Sequence, residues 1–184
     1  TFTFLFTDIE GSTRLWERHH EAMRDAMTRH DALIEACVGQ YSGHLIGARG
    51  EGDSCFVVFA RATEAVNAAA ALQEAFVKEP WPTPVPVRVR IALHTGEADV
   101  RDGEFYGSDV NRCARLRSLT YGGQILLSQV TRNLVADALP DRLSLRDLGM
   151  HRLRDLQRPE RVYKVNRALQ DLGLPKLSPD DFES

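Results

Sequence analysis

The sequence predicts an α+β domain: an antiparallel sheet packed with helices, followed by a C-terminal αββ extension. Three observations carry this. Short runs rich in β-branched and aromatic residues alternate with stretches whose apolar residues recur at helical spacing. These segments follow the order β-α-β-β-α-β, then α-β-α-β-β. Composition is that of an ordinary globular chain, with 43% hydrophobic and 27% charged residues among 184. The first six segments form the ferredoxin-like, split βαβ pattern, which implies helices on one face of the sheet.

The elements are justified in turn. "TFTFLFTDI" (1–9) is apolar almost throughout and reads as a central strand. "EGS" breaks it, and Ser12 is placed to cap one long helix with Leu15, His19, Met23, Ala26, His30, Leu33 and Val38 along one side. "HLIGARGEGDSCFVVF" reads as a hairpin about a glycine-rich turn. A second helix starts at Thr63, turns Val66, Ala69, Leu72 and Phe76 inward, and stops at "EPWPTPVP". "VRVRIALHTGEA" (87–98) alternates as a half-buried strand. "RDGEFYGS" is a loop or short arm before a helix holding "VNRCARLRSL". "GGQILLS" is a strand, Ser128 caps the helix "QVTRNLVADAL", and "SLRDLGMHRL" with "ERVYKV" makes a final strand pair. Periodicity fades after Asn166, so the domain is drawn as 1–166, with 167–184 as a linker or poorly ordered tail.

Bulk properties restrict function. A net charge of −3 does not advertise nucleic acid or an acidic membrane as partner. Cys37, Cys55 and Cys113 are widely spaced among apolar residues, with no zinc or disulfide pattern, and fit buried thiols in a reducing cytoplasm. No run is long and apolar enough for a membrane helix. The chain begins with Thr1 in a strand, which reads as a domain cut from a longer protein. His94 and the His19–His20 pair read as structural or surface residues.

Two carboxylates stand out. Asp8 ends an apolar strand, where a carboxylate is costly unless paired or put to use. Asp53 enters the neighbouring strand beside the hairpin turn. Two strand-end aspartates on adjacent strands can share divalent cations, and Mg²⁺ favours a few carboxylates plus substrate phosphates. Asn111 and Arg115 are four apart on one helix face, an amide and a guanidinium suited to ribose and phosphate.

"FLFTDIEGST", "GEGDSCFVVF", "RIALHTGEA", "FYGSDVNRCARL" and "LGMHRLRDLQRPERVYKV" occur in that order. Together they make residues 1–165 resemble the catalytic domain of class III nucleotide cyclases. The bacterial type that precedes ATPase and helix-turn-helix segments in large regulators is the most similar. The resemblance implies a cytoplasmic homodimer with shared active sites, converting ATP to 3′,5′-cyclic AMP and pyrophosphate, or GTP to cyclic GMP. It implies two ions, Mg²⁺ or Mn²⁺, on Asp8, Asp53 and the Ile9 carbonyl. Asn111 and Arg115 match the pair that the partner subunit gives to the transition state. Arg152 and Arg154 are the candidates for the triphosphate.

The purine readers depart from the family's pattern. The usual lysine falls on Arg49 by the short spacing, or on Gly47 if "RGEGDS" carries a two-residue insertion. Arg49 then contacts the base, pairs with Glu51 or Glu104, or is a solvated turn residue. The second reader becomes Glu104, which keeps a carboxylate and weakly favours ATP. The alternative is a degenerate cyclase-like module that binds nucleotide or dimerises to regulate an attached output domain. A diguanylate-cyclase or polymerase-like palm is disfavoured, since no GGDEF-like turn is present.

Overall fold

The structure, a computed structural model, describes residues 1–46 and 53–167. The elements are β1 (Phe2–Ile9), α1 (Ser12–Arg18), α2 (His20–Gln40), β2 (His44–Leu45), β3 (Cys55–Phe59), α3 (Ala62–Lys78) and β4 (Val89–Gly96). They continue as β5 (Asp99–Arg101), β6 (Glu104–Tyr106), α4 (Ser108–Arg117), β7 (Ile125–Ser128), α5 (Gln129–Val135), β8 (Leu143–His151) and β9 (Glu160–Arg167). The main sheet runs β2-β3-β1-β4-β7-β9-β8, with β5 and β6 a separate small arm. All its pairings are antiparallel except β4 with β7. The α+β expectation and the ferredoxin-like core order are therefore met. Of the expected tail, 167–184, Arg167 closes β9 and residues 168–184 lie outside the described residues, as do Gly47, Arg49 and Glu51.

The sheet is covered on both faces, not one. Leu5, Ile9, Ile91 and Leu93 pack with α2 and α3 residues such as Met23, Ile34, Val66, Leu72 and Phe76. Phe4, Phe56 and Val58 point the other way and meet Val110 and Cys113 of α4. The Cys113 thiol lies 3.4 Å from the Phe4 carbonyl and 3.5 Å from that of Ala92, which seats α4 across β1 and β4. This second layer explains why β1 is apolar throughout and why β4 is buried on both sides despite its alternating sequence. All three cysteines are free, and burial pushes the thiols of Cys55 and Cys113 up to about 11 and about 12.

The first helical segment is two helices rather than one. His19, at φ −138°, leaves helical geometry, while its N–H still closes on the Leu15 carbonyl. Gly11, at φ +68°, stands at the N-cap where Ser12 was expected, because a left-handed residue is needed to turn from β1 into α1.

One buried polar chain ties the layers together. Thr3 and Thr95 hydroxyls are 2.9 Å apart, Thr95 and Thr131 2.9 Å, Thr131 and Ser128 3.2 Å. Ser128 Oγ is 2.6 Å from His94 Nδ1, and His94 Nε2 is 2.9 Å from Asp109 Oδ1. Ser128 is thus the N-cap of α5 by position but makes no side-chain cap bond. Asp109, in the first turn of α4, also accepts the Glu97 N–H at 3.0 Å. A Cβ at Gly96 would overlap the Asp109 carboxylate, so only glycine allows this approach. His94 thereby fixes where α4 starts.

Among the described residues no helix is long and apolar enough to cross a membrane. Burial holds His94 below its ordinary value, against the opposing hydrogen bond and charge of Asp109 and the charge of Glu160; Arg112 reinforces the lowering. The unfolded chain therefore binds a proton that the folded chain refuses. Stability should be unaffected by His94 above about pH 6.5 and fall as pH drops below it. In urea unfolding at a series of pH values, His94→Gln should be less stable at pH 7 and show a shallower decline below about pH 6.5. An unchanged slope would refute this linkage.

Candidate active site

The site grows from strand register. β1 and β3 pair with Thr7 opposite Cys55, so Asp53 falls beside Ile9 at the strand ends. The Ile9 N–H donates to Asp53 Oδ2 at 2.8 Å, fixing the second aspartate to the backbone of the first strand. On the other side Asp8 stands opposite Arg90 of β4. The Arg90 guanidinium is bidentate on Asp8: Nε donates to Oδ1 at 2.5 Å and Nη2 donates to Oδ2. Arg117, at the end of α4, brings its Nε to 3.4 Å from Asp8 Oδ2. Asp8 is only 13% exposed, and these two arginines supply the counter-charge that such burial requires. Asp8 in turn holds Arg90 above the usual arginine range, against desolvation.

Asp8, Asp53 and Arg90 line a cavity of about 540 Å³ together with Ile9, Ser54 and the residues that open α1. A strand-end cleft of this size, lined by three carboxylates (Asp8, Glu10, Asp53) and two guanidinium groups (Arg14, Arg90), fits a small polyanionic ligand and its cations. Among the described residues no group of three His, Cys, Asp or Glu side chains gathers as a metal cage. Glu10 accepts from the Gly122 N–H, so the Asp8–Asp53 pair is the candidate donor set; it is all oxygen, which suits Mg²⁺ or Mn²⁺ completed by substrate oxygens and water. Asp8, Ile9 and Asp53 are brought together as the sequence implied.

The other candidates lie elsewhere. Asn111 is exposed on α4. Arg115, also on α4, ion-pairs with Asp155 at 3.3 Å and remains 41% exposed. Arg154, 82% exposed, lies 3.8 Å from the same Asp155, so Arg115 and Arg154 share one carboxylate. Arg152 is exposed beyond the end of β8. Glu104 opens β6 and accepts a short hydrogen bond from the Tyr106 hydroxyl. None of these five lines the cavity. Arg49 lies outside the described residues.

Sequence reasoning missed Arg90 and Arg117. The alternation of "VRVRIAL" marked Arg90 as facing opposite to Val89 and Ile91, and only the β1–β4 register puts it opposite Asp8. Arg117 is two positions from Arg115, roughly 200° around a helix, so the two must face opposite ways.

Comparison with known proteins agrees with this architecture. Residues 1–163 match the profile of the adenylate and guanylate cyclase catalytic domain. An uncharacterized protein of Mycobacterium tuberculosis is 41% identical over 165 residues, covering 90% of this chain and 55% of the relative. A receptor-type adenylate cyclase of Trypanosoma equiperdum is 28% identical, covering 89% of this chain and 44% of the relative. The chain thus spans about half the length of these relatives. Among solved structures, a Trypanosoma brucei adenylate cyclase in its monomeric state superposes with a TM-score of 0.80 at 28% identity, covering 90% of this chain and 89% of that one. The adenylyl cyclase CyaB of P. aeruginosa gives 0.78 at 26% identity, covering 94% and 96%.

The Ile9–Asp53 hydrogen bond gives a test that separates folding from chemistry. Asp53→Ala leaves a strand-end N–H without its acceptor and should cost about 1–3 kcal/mol in urea unfolding. Asp53→Asn keeps a carbonyl oxygen there and should lose well under half of that. Equal losses would show that the hydrogen bond does not fix Asp53.

Proposed function

Because the chain belongs to the adenylate and guanylate cyclase catalytic-domain family, we propose that it is a purine nucleotide cyclase acting as a homodimer. Its preferred substrate is ATP, converted to 3′,5′-cyclic AMP and pyrophosphate. The observation that carries this is the pair of strand-end carboxylates, Asp8 and Asp53, joined through one peptide N–H at the mouth of the cavity.

Asp8, Asp53 and the Ile9 carbonyl would hold two divalent ions, Mg²⁺ or Mn²⁺. Such ions acidify the ribose 3′-hydroxyl and neutralise phosphate charge. The chain's own residues do the rest. Register locks Asp53 against Ile9 and Asp8 against Arg90, so the carboxylates are placed before substrate arrives. Arg90 meets the triphosphate from inside the same cavity. The 3′-oxygen attacks the α-phosphorus, its proton leaves to solvent, and pyrophosphate departs.

Asn111 and Arg115 face away from their own cavity, which is why a second copy is invoked. From the partner subunit, Asn111 orients the ribose and Arg115 meets charge developing at the α-phosphate. Arg115 must first leave Asp155. That exchange is cheap, since the pair lies at the surface, with Arg115 41% and Asp155 67% exposed. Arg154, on the same aspartate, then stands near the triphosphate, with Arg152 as its neighbour in sequence. Glu104, released from Tyr106, accepts from the adenine amino group, and Arg49 is the candidate for a second contact to the base. The relatives described above include adenylate cyclases, which favours ATP over GTP.

A second reading has its own observation. Both oxygens of Asp8 are already engaged by Arg90, and Arg115 by Asp155. A domain in that state would bind nucleotide or dimerise without turnover and control an attached output domain.

Purified protein with Mn²⁺ should release cyclic nucleotide from ATP, more slowly from GTP, and Asp8→Ala should lower the rate at least about 10²-fold. Dimeric protein that binds ATP calorimetrically but makes no product decides for the second reading. Mixing Asp8→Ala with Arg115→Ala should restore about one quarter of the activity, since half the dimers are mixed and each has one intact site. Proven heterodimers without rescue would exclude a shared site.

A further inference from the structure

The last turn of α4 carries a group that the reaction above does not use. Val110, Cys113 and Arg117 lie along the buried stripe of the helix, while Asn111 and Arg115 lie away from it. Arg117 is 20% exposed, and its guanidinium sits 5.3 Å from the centre of the Phe6 ring. Its Nη1 donates to the Thr7 carbonyl at 3.3 Å and to Ser54 Oγ at 3.5 Å. Its Nε is buried, makes no hydrogen bond of good geometry among the described residues, and lies 3.4 Å from Asp8 Oδ2.

Two arginines therefore stand against Asp8: Arg90, which lines the cavity and makes both good hydrogen bonds, and Arg117, which backs Asp8 from outside that lining. A bare divalent ion arriving at Asp8 adds two positive charges beside two guanidinium groups. A metal ion arriving with a polyphosphate adds net negative charge. The same fixed cation that repels the first attracts the second.

We propose that Arg117 is a metal-affinity and phosphate-positioning residue of its own subunit's site: it weakens binding of free metal at Asp8 and strengthens binding of metal with polyphosphate. One helix then serves two sites, with Arg115 turned out toward a partner and Arg117 turned in. The inference rests on Asp8 being a metal carboxylate.

The alternative is that Arg117 only fastens α4 to β1 and β3. Loss of a fastener would weaken both kinds of binding together, whereas the proposed role moves them in opposite directions. The test is Mn²⁺ titration followed by electron paramagnetic resonance, without nucleotide, on wild type, Arg117→Gln and Arg117→Lys. Pyrophosphate titration at saturating Mn²⁺, by calorimetry, follows on the same proteins. Arg117→Gln should bind free Mn²⁺ about tenfold tighter and pyrophosphate about tenfold weaker, with Arg117→Lys near wild type in both. Either shift missing, or both in the same direction, overturns the proposal. Asp8→Ala should abolish Mn²⁺ binding in the absence of nucleotide, leaving the aqueous Mn²⁺ signal undiminished; if it binds Mn²⁺ as tightly as wild type, the metal reading of Asp8 falls on its own account. Neither readout requires turnover, so both remain decisive for an inactive cyclase-like domain.

Discussion

The site depends on one constraint: a carboxylate at the end of a buried strand must be neutralised wherever it lies. Asp8 ends the central strand of a sheet covered on both faces, and it is only 13% exposed. Its counter-charges come from the strand beside it and from the helix above it. That requirement couples three pieces of the fold. It fixes the β1–β4 register with Arg90 opposite Asp8, holds the end of α4 over β1, and leaves the opposite flank of β1 free for Asp53. An apolar isostere would satisfy packing more cheaply, so a charged cluster here points to use rather than to stability.

Much of this was legible in the sequence, and the limits have physical causes. β1, the hairpin and α3 were readable because apolar spacing reports burial directly. Asp8 and Asp53 were readable because a carboxylate at a strand mouth violates the local pattern. Layering was harder. The alternation of β4 suggested a half-buried strand, yet α4 buries the other face, and no periodicity inside β4 records the presence of a helix that starts 12 residues after the strand ends. The break at His19 was hidden because apolar residues continue at helical spacing through it. Arg90 and Arg117 looked like ordinary surface cations, because pairing across a sheet or between layers leaves no mark in local sequence.

The outward candidates are a different kind of case. Asn111 and Arg115 were marked by their spacing and given roles, like Arg154, through resemblance, and one subunit leaves all three outside its own cavity. Under the proposed reading, their geometry is set relative to a second chain. Such residues look unremarkable within one fold, as exposed side chains or weak surface ion pairs. Only the internal half of the site can be explained by this chain's own packing.

The hydroxyl chain from Thr3 to His94 has a further property. Asp109 is acceptor-only, so neutral His94 places its hydrogen on Nε2 and leaves Nδ1 to accept from Ser128. Each hydroxyl has one hydrogen to give. Ser128 spends its own on His94 and must receive from Thr131, which receives from Thr95, which receives from Thr3. All the O–H bonds then align in one sense across the interior, as a small ordered dipole directed at the start of α4. That polarity is set by a single imidazole proton, and moving the proton would reverse the whole row.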